Sequence, residues 1–185
     1  MKTILLSYLI FLLIFNLPIS ANNISDDLAN KTQVKILTSE FIYTNAPFPQ
    51  CHASTITETK EGLLAAWFGG TREKNPDVCI YTSAKIDGKW SDPVKVADGI
   101  INETLRYPCW NPVLFQIPDG TVMLFYKVGP SAQEWWGMLK TSKDQGRTWS
   151  EASRLPEDFL GPIKNKPVLT KNLRLICPSS TENPI

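Results

Sequence analysis

The sequence predicts an all-β protein built from repeated four-stranded antiparallel sheets, and two spacings carry this prediction. Acidic-glycine turns at Gly62 and Gly120 are 58 positions apart, and each is followed by an apolar run with strand character. Two later turns lead into Trp90 and Trp149, which are 59 positions apart. Sets of short strands recurring every ~50 residues are typical of the blades of a β-propeller.

Within each repeat, the turn signals divide the chain into four short strands. The second strands are predicted from the apolar runs after the glycine turns, and the last strands at 93–97 and 152–156, after the tryptophans. A third repeat begins near residue 165, and we expect Asn172 to take the turn position of Gly62 and Gly120. These boundaries place blade one at about 48–98, blade two at about 106–157 and the start of blade three at about 163–185.

Two and a half blades cannot close a ring, because a propeller needs about four to eight. We therefore expect the chain to be the N-terminal part of a longer protein, or a truncated product that leaves an apolar blade face exposed. The apolar segment 34–44 is a candidate for the strand that completes the missing last blade.

The first residues predict a secretory signal peptide over 1–21, since Lys2 precedes an apolar run at 4–17 and small residues follow at Ser20 and Ala21. A transmembrane anchor is the alternative, but the run is shorter than the ~20 residues that span a bilayer. Cleavage near Ala21 predicts a secreted or periplasmic protein, without stable membrane insertion. It leaves an N-terminal segment at 22–47 and an incomplete propeller at 48–185.

Composition excludes some partners. The chain has 19 basic and 18 acidic residues, so bulk charge does not recruit nucleic acid or another acidic polymer. The four cysteines fit no zinc-binding spacing, and we expect neither a metal nor a cofactor. An exported chain permits disulfides without requiring them.

One eight-residue stretch carries a family resemblance. SKDQGRTW, at 142–149, matches the Asp-box S-x-D-x-G-x-T-W in full, and SAKIDGKW, at 83–90, is a degenerate copy. The chain thus resembles the sialidase superfamily, in its branch of secreted proteins with BNR (Asp-box) repeats. We interpret the box as a turn that builds the blade and lies away from the chemistry. Its structural residues are Ser142, Asp144, Gly146, Thr148 and Trp149.

The resemblance covers the chain from about Phe48 onward. It implies a six-bladed propeller with a glycan or polysaccharide site at one end of its axis. In that family the site is built from the starts of the innermost strands and from the loops between second and third strands. One departure matters: sialidases carry Arg-Ile-Pro at the first inner strand, where this chain has Gln50, Cys51 and His52. The first carboxylate-binding arginine is absent, so sialic acid is not assumed as the substrate.

The repeat alone locates the residues that face the axis. Aligned on the glycine turns, Cys51 lies over Cys109 and His52 over Trp110, with Lys164 in a third row. His52, the only histidine, is either a general acid or base or a hydrogen-bonded core residue. The two cysteines are either bridged or two small buried thiols.

Arg106 and Tyr107 precede the predicted inner strand of blade two, and Lys127 follows its hairpin partner. Arg106 offers a planar fork for a carboxylate, Tyr107 a hydroxyl able to act as nucleophile or base, and Lys127 a cation. The alternative is that Arg106 forms a salt bridge at the rim and that the ring of Tyr107 belongs to the core.

The loops between second and third strands supply candidate acids. Arg72, Glu73 and Asp77 lie in the loop of blade one, where the resemblance places the acid/base aspartate of sialidases. The corresponding loop of blade two holds Glu134, Trp135 and Trp136. Each charge is alternatively an ordinary solvated side chain.

Three functions follow from these residues. The first is a secreted sialidase-like glycoside hydrolase, with Asp77 or Glu73 as the acid. The second is a polysaccharide lyase, in which His52 or Tyr107 removes a proton. The third is a non-catalytic carbohydrate-binding propeller. Candidate substrate-binding residues are Arg72, Arg106, Trp110, Lys127, Glu134, Trp136 and Lys164.

Overall fold

A computed structural model describes residues 35–181 of the chain. The chain divides into two compact units, Met1–Glu40 and Phe41–Ile185. Of the first unit only residues 35–40 are described, and they form no helix or strand. No helix long and apolar enough to cross a membrane occurs among residues 35–181. The predicted signal peptide lies outside the described residues.

The first sheet confirms the predicted antiparallel repeat and adds one short strand to it. Its strands are β1 (Gln50–Thr59), β2 (Gly62–Gly70), β3 (Cys79–Ile86), β4 (Lys89–Trp90) and β5 (Val94–Ala97). They are ordered β1-β2-β3-β4, and β5 also pairs with β3. The strand predicted at 93–97 is therefore β5. The additional strand β4 arises because the turn at Gly88 folds Trp90 back onto Lys85.

The second sheet has the predicted four antiparallel strands, in the order of the sequence. They are β6 (Cys109–Gln116), β7 (Val122–Val128), β8 (Trp136–Ser142) and β9 (Ser153–Arg154).

A third, two-stranded sheet consists of β10 (Val168–Leu169) and β11 (Leu175–Ile176). The prediction that Asn172 takes the glycine position of its turn is wrong by one residue. Leu173 has φ 61° and its N–H donates to the carbonyl of Thr170, as the N–H of Gly120, with φ 92°, donates to the carbonyl of Ile117. Asn172 thus corresponds to Asp119, the acidic residue before the glycine.

Two apolar layers cover the two faces of the first sheet. Strand β2 alternates its side chains, so Trp67 faces one layer, where it stacks on Tyr43 with ring centroids 5.1 Å apart and packs against Phe48. The segment before β1 therefore covers this face. Residues 35–49 form no strand, and the ring-closing strand at 34–44 stays a prediction.

The other layer joins the first sheet to the second. Leu64, Ala66 and Phe68 of β2 pack in one buried cluster with Leu114 of β6 and with alternate residues of β7. Burying a large apolar side chain contributes about 1.5–3 kcal/mol. The N–H of Cys109 also donates to the carbonyl of Val78 at 3.0 Å, which fixes the start of β6 beside the start of β3.

The Asp-box turn of the second sheet also touches the first sheet. Inside the turn, Asp144 accepts the N–H of Thr148 at 2.9 Å, and the indole of Trp149 donates to the carbonyl of Gly146 at 3.1 Å. Outside it, Gln145 accepts the N–H of Lys60 at 3.0 Å. A guanidinium–carboxylate pair joins Arg147 to Glu61. The turn is therefore part of the contact between sheets.

Replacing Gly146 tests that contact. A Cβ at Gly146 would lie 2.7 Å from Cδ2 of Leu64, whereas a Cβ at Gly88, in the corresponding turn of the first sheet, meets nothing within 4 Å. Both glycines have positive φ. We expect Gly146→Ala to destabilise the fold by about 1–3 kcal/mol more than Gly88→Ala, because only the first adds overpacking to backbone strain. Urea unfolding of both variants measures the difference. Equal losses would contradict the contact.

Candidate functional site

Strand direction brings four segments to one end of the two sheets. Because neighbouring strands are antiparallel, β1 begins where β2 ends and β3 begins, and β6 likewise begins beside the end of β7 and the start of β8. We call this end the mouth. It comprises residues 50–52, 70–79, 108–110 and 128–136.

Both inner strands bend at the same point behind the mouth. Pairing shifts register between His52 and Thr55 in β1 and between Trp110 and Val113 in β6. Ala53 and Asn111 have positive φ there, 55° and 37°. Such bulges are common beside functional sites because they redirect a side chain. The entry into β6 is tight, since Pro108 and Cys109 are both buried.

One pair of predicted catalytic residues meets at the mouth. The Nδ1 atom of His52 lies 3.4 Å from Oε2 of Glu73, and their side chains are 66% and 49% exposed. A cavity of about 180 Å³ borders both, with Phe68 in its wall. The imidazole meets the edge of Phe68, with ring centroids 5.7 Å apart. This histidine is therefore at the surface, not in the core.

Aromatic rings continue from this pair into the second sheet. Phe68 meets Trp110 edge to face at 6.3 Å, and Trp110 meets Trp135 at 5.7 Å. Trp110 is only 4% exposed and its indole donates to the carbonyl of Gly129 at 2.9 Å. Little of its ring is free for a sugar, so we describe it as part of the wall of the mouth.

The other candidate acid has a different environment. Asp77 accepts the N–H of Thr71 at 2.9 Å and its hydroxyl at 2.6 Å. These hydrogen bonds, chiefly that from the hydroxyl, lower the pKa of the Asp77 carboxyl below its usual value. The Asp77 carboxylate therefore stays ionised at neutral pH, and its hydrogen bonds to Thr71 close the loop between β2 and β3. In the same loop, Nε of Arg72 donates to the side chain of Asn75 at 3.2 Å.

Arg106 and Tyr107 are held by the fold. Arg106 donates to the carbonyl of Asp77 at 3.1 Å and to Sγ of Cys79 at 2.9 Å, while its buried Nε has no partner among the described residues. Tyr107 packs edge to face on Trp136 at 5.8 Å. The indole of Trp136 makes a second contact, with the guanidinium of Arg154, which lies 4.8 Å from the ring centre.

The predicted substrate-binding lysines and Glu134 are not gathered at one point. Lys127 is fully buried, and its Nζ donates to the carbonyl of Pro162. Burial lowers the pKa of its ammonium to about 7. Lys164 is exposed, and Glu134 accepts the hydroxyl of Ser131 within its own loop at 3.2 Å.

Cys51 and Cys109 are thiols and are not bridged, but only Cys109 is buried as the second alternative expected. Cys51, Cys79, Cys109 and Cys177 are all free. Cys51 is exposed and accepts the hydroxyl of Tyr43 at 3.0 Å, whereas Cys109 is fully buried. Burial raises the pKa of the Cys109 thiol. Within the described residues, no group of three or more His, Cys, Asp or Glu side chains gathers as a metal site.

Two residues at or beside the mouth had not been predicted. Phe68 forms the aromatic link between His52 and Trp110, and Thr71 holds Asp77. Strand alternation from Ala66 would have placed Phe68 on the face toward the second sheet. No sequence signal identifies Thr71, because its role depends on how the loop closes.

The chain belongs to the family of BNR repeat-like domains, which it matches over residues 61–184. This confirms the resemblance inferred from the Asp-box. No curated protein matches the chain.

Solved structures share its fold. A protein of unknown function from Dyadobacter fermentans aligns with TM-score 0.52 and 18% identity over 72% of this chain. A Hadza microbial sialidase aligns with TM-score 0.56 and 16% identity over 68%. An α-L-arabinofuranosidase from Lactobacillus brevis aligns with TM-score 0.51 and 16% identity over 77%. The chain spans 47%, 31% and 50% of these structures, so the likeness shows the fold of part of a sialidase-type propeller.

The buried Lys127 predicts a pH-dependent stability. Its pKa is about 7 in the folded chain and ~10.4 when unfolded, so the unfolded state binds more protons between these values. Stability should therefore rise with pH above about 7 through this group. We expect Lys127→Met to reduce that rise, measured by urea unfolding at about pH 7 and pH 9. Lys164→Met removes an exposed ammonium and is the control. An identical rise in wild type and Lys127→Met would contradict the prediction.

Proposed function

We propose that the chain is the N-terminal part of a secreted, sialidase-like glycoside hydrolase whose complete ring has six blades. Blade one covers about 48–98, blade two about 106–157, and blade three begins at about 163. The BNR family membership and the fold shared with a sialidase and an arabinofuranosidase support this class. The share of those structures that the chain spans supports a longer protein. The apolar segment at 4–17 supports secretion.

The observation that carries the proposal is the contact between His52 and Glu73 beside an open cavity at the mouth. Glycoside hydrolysis needs a group that protonates the leaving oxygen, and a carboxylic acid is the usual donor. Glu73 is our proposed donor, with His52 orienting its carboxyl group. Asp77 is less suited, because hydrogen bonds from Thr71 keep it ionised.

The substrate is a glycan, but not necessarily one ending in sialic acid. The position of the first carboxylate-binding arginine is occupied by Gln50. Arg106, at the entry to the inner strand of the second blade, already donates to Asp77 and Cys79. Recognition in this part of the site then relies on Arg72 and Glu73 of the exposed loop, and a terminal sugar without a carboxylate fits it as well as an acidic one.

A polysaccharide lyase is the second candidate, and the same contact favours it. If Glu73 accepts a hydrogen bond from Nδ1–H of His52, the Nε2 atom is left as a base able to remove the α-proton of a uronate. Tyr107 is less suited to this role, since it packs against Trp136.

The test compares variants of the full-length protein on fluorogenic sialic acid and α-L-arabinofuranose glycosides and on uronate polymers. For a hydrolase, we expect Glu73→Gln to lower kcat/KM by about 100-fold or more, because general acid catalysis contributes that much. His52→Ala should lower it less. Glu58→Gln, at the far end of β1, is the matched control.

The outcomes separate the candidates. A hydrolase releases sugar without an ultraviolet-absorbing product, whereas a lyase produces an unsaturated uronate and loses all activity in His52→Ala. Full hydrolase activity in Glu73→Gln would overturn the assignment of the acid. Glycan binding without either reaction would replace both proposals by a binding propeller.

A further inference from the structure

A second cleft opens at the mouth, on the outer side of the second sheet. Strand β9 is antiparallel to β8, so the chain after Arg154 emerges at the end where β8 begins. Residues 155–160 there face the loop between β7 and β8. The cleft between them has a volume of about 390 Å³, within the range of small-molecule sites.

An exposed aromatic ring stands in this cleft. Phe159 is 68% exposed, and it lines both this cleft and a neighbouring cavity of about 440 Å³. A turn presents it: its N–H donates to the carbonyl of Pro156 at 3.0 Å, and Asp158 has φ 65°. Backbone strain of this kind, at a residue other than glycine, is concentrated at functional sites.

Charged groups line the same cleft as the ring. Arg154 lies over the indole of Trp136, and Glu157 and Asp158 line the same cleft. Within residues 35–181, the side chains of Arg154, Glu157 and Asp158 make no hydrogen bond or ion pair with another protein group. Their donors and acceptors are therefore available to a ligand.

This combination identifies the chemistry of the ligand. A sugar ring has an apolar face of C–H groups, which packs on an aromatic ring, and a rim of hydroxyls, which bond to carboxylates and guanidinium groups. A purely apolar ligand would leave the charged groups unpaired, and an anionic one would meet Glu157 and Asp158. The lining fits an uncharged sugar.

We propose that this cleft is a subsite for one uncharged sugar residue, with Phe159 as its platform and Arg154, Glu157 and Asp158 as its hydroxyl-binding groups. Trp135 lines the cleft and contacts Trp110, so the subsite adjoins the aromatic wall of the mouth. A glycan that occupies both places its reacting bond near Glu73 and an inner residue on Phe159. The inference rests on the glycan partner of the proposed function, but not on hydrolysis.

The test is an array of immobilised glycans carrying neutral and acidic sugars, probed with the full-length protein. We expect wild type to bind neutral glycans, and Phe159→Ala to bind them at least about tenfold more weakly, because the stacking surface is lost. Phe159→Tyr keeps the ring and should retain binding. Phe41→Ala removes an 85% exposed ring elsewhere and is the matched control.

The result distinguishes this inference from the proposed function. No binding by wild type, or equal binding by wild type and Phe159→Ala, overturns the subsite even where the protein hydrolyses a glycan. Binding that depends on Phe159, without hydrolysis, supports the subsite and overturns the hydrolase. In an active enzyme, Phe159→Ala should raise KM with kcat unchanged, since the platform is remote from the reacting bond.

Discussion

The packing of the first sheet on the second is the contact on which the rest of the structure depends. Leu64, Ala66 and Phe68 enter a buried layer with Leu114 and with alternate side chains of β7. Neither sheet could bury these faces alone, since a single antiparallel sheet leaves one face to water unless a partner covers it. A backbone hydrogen bond from Cys109 to Val78 and the Asp-box turn against Leu64 hold the two ends of this layer. The sheets are thereby fixed in rotation as well as distance.

The mouth is a consequence of that packing. His52 and Trp110 lie near the starts of equivalent strands, and Phe68 lies between them because it belongs to the layer that joins the sheets. The two bulges repeat at the same register, so the candidate site lies where the regular strand pairing is interrupted. Trp110 supports this arrangement from within, whereas His52 and Glu73 remain open to solvent. Within one aligned row, the fold therefore buries Trp110 and leaves His52 at the surface.

The repeat made much of this predictable. Turn glycines and tryptophans placed nearly every strand, because a turn that needs positive φ and a strand that needs apolar alternation leave clear signals. Leu173 shows where the signal fails: an ordinary residue occupies the left-handed position, and only the hydrogen bond to Thr170 reveals it. Lys127 shows a second failure. It was expected after the hairpin partner of the inner strand, but it lies inside β7, and its Nζ donates to the carbonyl of Pro162, which is 35 residues away.

By itself, the sequence determined the class of fold, the repeat of antiparallel sheets, the BNR family and the set of polar residues near the inner strands. All of these depend on local conformational preference and on spacing along one chain. Only the tertiary structure decided the surroundings of each polar residue. Glu73 contacts His52 at the surface, Asp77 accepts hydrogen bonds from Thr71, and Lys127 is buried. Burial and hydrogen-bond competition are set by segments that meet in space, and no spacing along the chain encodes them.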